Sequence, residues 1–401
     1  MSALFASDPL LHGDIDLTVV AIVLVKTVIV FALLMVAVMF YIWFMRKVIA
    51  DMQNRIGPQR AGPFGILQTL ADGIKLFFKE QSEPATADKR VFHLAPYLSI
   101  LPAFLAFSIV PIGGAVSIAG HRTFLQLADP PVGVLFLLAM SGIGLYGVML
   151  AGWSSGSKYP LLGAVRASAQ LLSYEAAMGL AIVSVLVKSN TLSTHGIVAG
   201  QAWTGIGSIV QDWYWFPGIG FVIFLIAAVA ETNHPPFDLV EAEQELVGGF
   251  HTEYTGIRFA IFFLAEFMNL ITMCAIAVTL FLGGPSGPSL HGLGVADGSW
   301  LNTWVMPIFW FMLKLLVLLY ATVWVRASLP RLRYDQLMSF GWKRLIEVAF
   351  LWAMVVGFIE VARSQDWNLY IAVPACMFGA FALFGVLMLC IPKNEEIEEI
   401  R

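Results

Sequence analysis

The sequence predicts an all-α, polytopic membrane helix bundle of about nine transmembrane helices, and three observations carry that prediction. Only 12% of its 401 residues are charged and 59% are hydrophobic, whereas an ordinary soluble domain is about 25% charged. Nine apolar runs each approach the roughly 20 residues that cross about 30 Å of hydrocarbon as a helix. Lys and Arg, finally, are sorted into alternate loops, as the positive-inside rule requires.

The runs are 17–44, 95–119, 131–153, 161–187, 214–231, 256–282, 302–329, 341–361 and 368–391. An acidic stretch with Asp8, Asp14 and Asp16 precedes the first. It lacks a basic leader region and a small-residue cleavage site, so the first run is read as a retained helix. The loop 45–94 holds Arg46, Lys47, Arg55, Arg60, Lys75, Lys79, Lys89 and Arg90, and the loop 330–344 holds Arg331, Arg333, Lys343 and Arg344. The opposite side holds only Arg122, Lys188 and Arg363. The expected topology therefore has the N-terminus outside and the C-terminus cytoplasmic, as an odd number of spans requires. Within the first loop, Leu67, Leu70, Ile74, Phe77 and Phe78 share one helical face, with Gln68, Asp72, Lys75 and Lys79 on the other. A stretch this short and polar fits an amphipathic helix lying in the interface, or one that caps the bundle. Gly57-Pro58 and Gly62-Pro63 give it a non-helical lead-in.

Several functions are excluded or unsupported. The net charge of −4 offers no basic excess for nucleic acid, and Cys274, Cys376 and Cys390 have no paired spacing for a disulfide or thiolate-held metal. The seven histidines show no metal-binding helical pair, so no metal site is expected. No glycine-rich dinucleotide fingerprint or phosphate-binding loop occurs, and no nucleophile–base constellation stands out.

The segment 231–253 breaks the charge rule: it holds Glu231, Asp238, Glu241, Glu243, Glu245 and Glu253 with no Lys or Arg. Carboxylates gathered without counter-ions perturb one another and favour shared protons. A solvated acidic loop is one reading. The rigid His234-Pro235-Pro236 and the apolar Phe237, Leu246, Val247 and Phe250 favour a partly buried one. Glu175, Glu266 and Lys314 fall near the middles of spans, where an unpaired charge costs at least about 2.5 kcal/mol and marks a functional candidate. Arg166 lies nine residues before Glu175, about 13.5 Å along an unbroken helix, too far to pair with it.

These residues include motifs that resemble a known family. Gln53-Asn54-Arg55-Ile56-Gly57-Pro58, Leu67-Gln68-Thr69-Leu70-Ala71-Asp72-Gly73-Ile74-Lys75 and Phe77-Phe78-Lys79-Glu80 resemble the first cytoplasmic loop of one membrane-subunit family of NADH-quinone oxidoreductase (respiratory complex I), the family that joins the membrane arm to the peripheral arm. Arg166-Ala167-Ser168-Ala169-Gln170, Ser173-Tyr174-Glu175, Pro236-Phe237-Asp238, Glu241-Ala242-Glu243-Gln244-Glu245-Leu246, Glu253-Tyr254, Arg326-Ala327-Ser328-Leu329-Pro330 and Arg333-Tyr334-Asp335-Gln336 continue the match, which covers roughly 45–360. The resemblance implies a membrane component that carries no redox cofactor, shapes a quinone chamber and couples quinone reduction to proton translocation in a bacterial plasma membrane. It assigns Arg46, Arg55, Arg60, Asp72, Lys75 and Phe237 to quinone binding, and Glu175, Asp238, Glu241, Glu243, Glu245, Glu253 and Glu266 to proton transfer. Implied partners are iron–sulfur- and FMN-bearing peripheral subunits, small membrane subunits of the proton path, antiporter-like subunits and lipid. Two positions depart from the pattern: Met45 stands where a glutamate is common, and His234 stands at or beside a common arginine. The expected division is a bundle with chamber loops over 1–363 and an extra helix with an acidic tail over 364–401. Alternatives are the related membrane component of a hydrogenase or formate-oxidising complex, and a stand-alone transporter. The first is disfavoured by the intact first loop, the second by the lack of inverted repeats.

Overall fold

Apolar runs without internal polar breaks form long helices, because backbone groups in lipid must be satisfied within the segment. The structure, a computed structural model, describes residues 8–11, 16–205, 212–214, 218–238, 246–288 and 299–367, with four isolated positions beyond. Among the described residues, seven helices are long and apolar enough to cross a membrane: α1 (Leu17–Met52), α3 (Lys89–Phe107), α4 (Gly133–Ser154), α5 (Lys158–Ser189), α8 (Gly256–Phe281), α9 (Leu301–Ser328) and α10 (Tyr334–Ser364). A shorter apolar helix, α7 (Ile219–Glu231), adds an eighth. The polytopic α-helical bundle is therefore as expected. The ninth run, 368–391, lies outside the described residues apart from four isolated positions.

Three boundaries differ from the sequence reading. Helix α1 runs 36 residues, about 54 Å at 1.5 Å per residue, so its last turns, with Arg46 and Lys47, extend past the length of a hydrocarbon core of about 30 Å. Helix α3 ends at Phe107, not near 119. Pro111 and the pair Gly113-Gly114 follow, and a hairpin of β1 (Ala115–Ile118) and β2 (His121–Phe124) closes over Ala119 and Gly120 at φ of 50° and 85°. Two positive φ angles are what a tight two-residue hairpin turn demands. Helix α7 has only 13 residues, because its N-cap Gly218 is left-handed and Pro235-Pro236 blocks extension beyond Glu231.

Helix α2 (Gln68–Phe78) and the short α6 (Thr194–Ala199) lie outside the spans. The central element is α8: 72% of its apolar window is buried, against 22% for α4 and α10. Helices α3, α5 and α7 pack against it, α4 packs on α3 and α5, and α1 and α9 lie on a further side. Tyr41 on α1 bonds Thr322 on α9 at 3.0 Å within the main apolar cluster.

Candidate functional site

The site is organised by one face of α5. Positions four apart on a helix share a face, and Gln170 and Tyr174 use that face to hold two other segments. Gln170 donates from Nε2 to the carbonyl oxygens of Ala230 (2.8 Å) and Phe237 (3.0 Å), pinning both ends of the 231–237 turn. The Tyr174 hydroxyl donates to the Leu337 carbonyl oxygen at 3.1 Å, and its ring packs on Phe237 at 5.6 Å. Glu175, the next residue, faces a cavity. Helix α5 is unbroken, and Arg166 stacks over the Tyr334 ring at 5.4 Å.

That cavity, about 70 Å³, is lined by Glu175 from α5, Glu231 from α7 and Glu266 from α8, with Ser141 of α4 and Asn269 among its other polar groups. Three carboxylates from three helices thus face one small polar space, roomy enough for several water molecules. Glu231 is buried; the Ser141 hydroxyl donates to its Oε1, while its Oε2 has no hydrogen-bond partner among the described residues. His234 Nδ1 lies 3.5 Å from Glu266 Oε1 and 2.7 Å from the Thr232 carbonyl oxygen. Glu231 is the functional candidate that sequence reasoning passes over, because it reads as the first residue of an acidic loop. The available signal is its place as the last residue of an apolar helix, before Asn233-His234-Pro235-Pro236.

On the other side of the same turn lies a mainly apolar cavity of about 860 Å³ between α7, α9 and α10. Phe237, Leu225, Val229, Leu318 and Val325 line it, and Asp335, Gln336 and Arg344 supply polar groups. The turn is tied to the α9–α10 connection: Leu332 N donates to the Pro236 carbonyl oxygen at 3.2 Å, and Arg331 pairs with the buried Asp238 at 3.3 Å. Further along, the 3-10 turn Gly249–His251 presses on α5 so closely that a Cβ at Gly163 would meet Gly249 backbone at 2.7 Å. Phe250 is buried, and so is Leu246, as the partly buried reading of this segment expects; Val247 is exposed. Burial pushes the His251 imidazole down to about 4, against the opposing pull of Asp238.

The first loop is fastened separately. Arg46 at the end of α1 pairs with Asp72 on α2 at 2.8 Å, and Gln68 donates to the other oxygen at 3.2 Å. Partial burial opposes ionisation of Asp72, but these hydrogen bonds and the Arg46 and Lys75 charges hold its carboxyl below the usual carboxylate value. Trp43 donates to the Phe64 carbonyl oxygen, and Thr69 to that of Met39, so α2 lies along α1. Its Leu70, Ile74, Phe77 and Phe78 stay exposed, the pattern of an interfacial helix. The loop's far end is anchored by Glu83, which pairs with Arg258 of α8 at 2.7 Å and His93 at 2.9 Å. Those two partners hold its carboxyl low.

The expected quinone-binding group is only partly gathered. Arg46 and Asp72 meet; Arg55 bonds Gln53 at 2.7 Å and is exposed, as are Arg60 and Lys75. Of the six, Phe237 alone lines the larger cavity. Met45 is buried, with its sulfur 3.5 Å from Arg326 Nη1. Of the expected proton-transfer group, Glu175 and Glu266 share the small cavity, whereas Glu253 and the buried Asp238 line neither cavity. Glu241, Glu243 and Glu245 lie outside the described residues. Lys314, a mid-span candidate by depth, is committed to packing: its Nζ donates to the carbonyl oxygens of Leu282 (2.6 Å), Gly284 (3.0 Å) and Ser286 (2.5 Å) and sits 4.2 Å from the Trp213 ring. No three His, Cys, Asp or Glu side chains are grouped to hold a metal ion among the described residues.

Residues 25–357 of the chain match the family model described as NADH dehydrogenase. A relative in Frankia casuarinae, named as the H subunit of NADH-quinone oxidoreductase, is 54% identical over 360 residues, covering 90% of this chain and 77% of the relative. Another of that name in Frankia alni is 54% identical over 373 residues, covering 92% and 78%. A match of this length and identity, carried by a helical bundle whose carboxylates converge as described, leaves one assignment: the chain belongs to the NADH dehydrogenase family.

Proposed function

We propose that the chain is the chamber-forming membrane component of a proton-translocating NADH:quinone oxidoreductase, in which it supplies the wall of the quinone chamber and the first stage of the proton path. The relatives' name supports the complex. The observation that carries the coupling role is the meeting of Glu175, Glu231 and Glu266, from three helices, on one cavity at membrane depth. Ionisable groups at that depth are costly and serve ion pathways. Reducing a quinone to a quinol takes up two electrons and two protons. The electrons come from iron–sulfur clusters, themselves fed through FMN, on partner subunits at the cytoplasmic face. This chain's part is to hold the quinone, with Phe237, Arg46 and Asp72 in the wall, and to hold and pass protons among carboxylates that sense charge appearing nearby.

The turn 231–237 is the mechanical link. It joins the carboxylate cavity to the Phe237 cavity, and both Gln170 bonds and the Asp238–Arg331 pair fix it. Glu241, Glu243 and Glu245 continue the acidic series. The sorting of basic residues supports an N-terminus outside and a C-terminus on the cytoplasmic side, in a bacterial plasma membrane beside small membrane subunits, antiporter-like subunits and lipid.

The test is Glu175→Gln in membranes containing the assembled complex. NADH:quinone turnover and its proton translocation should fall about tenfold, an effect of about 1.4 kcal/mol, while NADH oxidation by an artificial acceptor is unchanged. Full coupled turnover would overturn the proposal.

A further inference from the structure

The start of α10 carries a set of cations that the site does not use. Arg333 is 75% exposed, and Lys343 and Arg344 are exposed on the following turns. The Arg333 guanidinium pairs with the equally exposed Asp335 at 3.4 Å, and among the described residues no carboxylate pairs with Lys343 or Arg344. At its other end α10 is capped. Asp366 is left-handed at φ 53°, Trp367 N donates to the Ala362 carbonyl oxygen at 2.9 Å, and the Trp367 ring packs on Phe358 at 6.0 Å. A left-handed residue after a helix, with a hydrophobic contact back onto it, closes the helix in a C-terminal cap.

The apolar run 368–391 begins directly after that cap. Its 24 residues rise about 36 Å as a helix. Run antiparallel to α10 at equal rise, Ile391 comes level with Lys343, since each lies 24 residues from Trp367. Glu395, Glu396, Glu398 and Glu399 follow within eight residues of Ile391. We propose that this acidic segment docks on the cationic collar of Arg333, Lys343 and Arg344, at the mouth of the 860 Å³ cavity that Arg344 helps to line. Four carboxylates face Lys343 and Arg344, which no carboxylate pairs with among the described residues, and Arg333, whose pair with Asp335 is exposed to solvent. The short tether from the membrane raises their effective concentration to the millimolar range. Exposed pairs are individually weak, so the docking is salt-sensitive and reversible. The proposal rests on 368–391 crossing the membrane and is independent of the chain's role in quinone chemistry.

Disulfide trapping in membranes containing the assembled complex tests it. Cys376 and Cys390 are replaced by Ser; the buried Cys274 is kept. Glu396→Cys is paired with Ser339→Cys, one turn before Lys343, and separately with Gln59→Cys in the first loop beside Arg60. The Ser339 pair should cross-link about tenfold faster, and adding Lys343→Gln with Arg344→Gln, or raising the salt to 1 M, should remove that advantage. Equal rates at the two positions, or no cross-link at Ser339, would overturn the proposal. So would an advantage that survives removal of the cations, which would show contact without charge recognition.

Discussion

Gln170 and Phe237 are joined by a 3.0 Å hydrogen bond from the side-chain amide to the backbone carbonyl oxygen, and this bond lies on the seam between two cavities. Five residues along α5, Glu175 lines the small polar one; Phe237 itself lines the large apolar one. Gln170→Leu keeps the volume close but leaves the Phe237 carbonyl without that donor, while Ala230 keeps only the bond from Asn233 N. Orphaning one such buried carbonyl costs about 1–3 kcal/mol. Hydrogen exchange at 230–238 should speed up by one to two orders of magnitude, and coupled quinone turnover should fall with the complex still assembled. Unchanged exchange would show that the turn is held by other contacts.

Glu231→Gln separates charge from shape. The amide oxygen still accepts from Ser141, so packing around α4 and α7 is preserved. Proton translocation coupled to quinone turnover should fall at least about tenfold. Ser141→Ala, which removes the donor and keeps the carboxylate, should have the smaller effect. The reverse order of severity would assign the position to packing.

The Arg46–Asp72 pair should matter for order in the first loop more than for global stability. Both side chains are partly exposed, so the pair contributes about 1 kcal/mol or less. Because the folded Asp72 value is depressed, its contribution is complete above the ordinary carboxylate value of 3.8 and is lost as pH falls through the lower folded value. Protection of α2 amides should therefore be flat from pH 8 to 5. Asp72→Asn should reduce that protection at every pH in the window; a matching loss in wild type near pH 6 would point to another group.

His251 has the same sign in a window closer to neutrality. It is neutral when folded, with its value pushed down to about 4 from an ordinary 6.5. Between those values the opened turn binds a proton that the closed turn does not, so stability is full above pH 6.5 and falls as pH drops toward 4. The slope approaches about 1.4 kcal/mol per pH unit. Exchange at 249–254, corrected for its intrinsic rate, should rise between pH 6.5 and 5. His251→Phe, which keeps the ring contacts with Phe250 and Phe259, should flatten the dependence. A slope that survives the substitution would exclude His251 as its source.

Hydropathy locates the spans because apolar length is a one-dimensional property, and the acidic, basic-free 231–253 stretch is visible for the same reason. The ends are harder. Nothing in the apolar residues of 108–119 separates a helix from the turn and strand that Pro111 and Gly113-Gly114 impose. The convergence of Glu175, Glu231 and Glu266 is out of reach of the sequence, since it depends on how α5, α7 and α8 are rotated and packed. The family resemblance supplies the importance of the motif Arg166 to Glu175, but not its division of labour. Gln170 and Tyr174 hold other segments in place, which leaves Glu175 to the cavity.

Lys314 shows why depth in the membrane is not by itself evidence of function. Its mid-span place on α9 makes it a candidate for the ion path. Its ammonium instead donates to three carbonyls just beyond the C-terminal end of α8, where the helix dipole favours a cation, and the Trp213 ring covers it. Hydrogen bonds to a charged donor contribute about 1.5–3 kcal/mol each, so Lys314→Met should lower the amount of assembled protein. Lys314→Arg, whose fork cannot reproduce three bonds from one nitrogen, should restore it only in part. Protons translocated per quinone reduced, measured on the complex that does assemble, should match wild type in both variants. A reduced ratio at normal assembly would return Lys314 to the proton path.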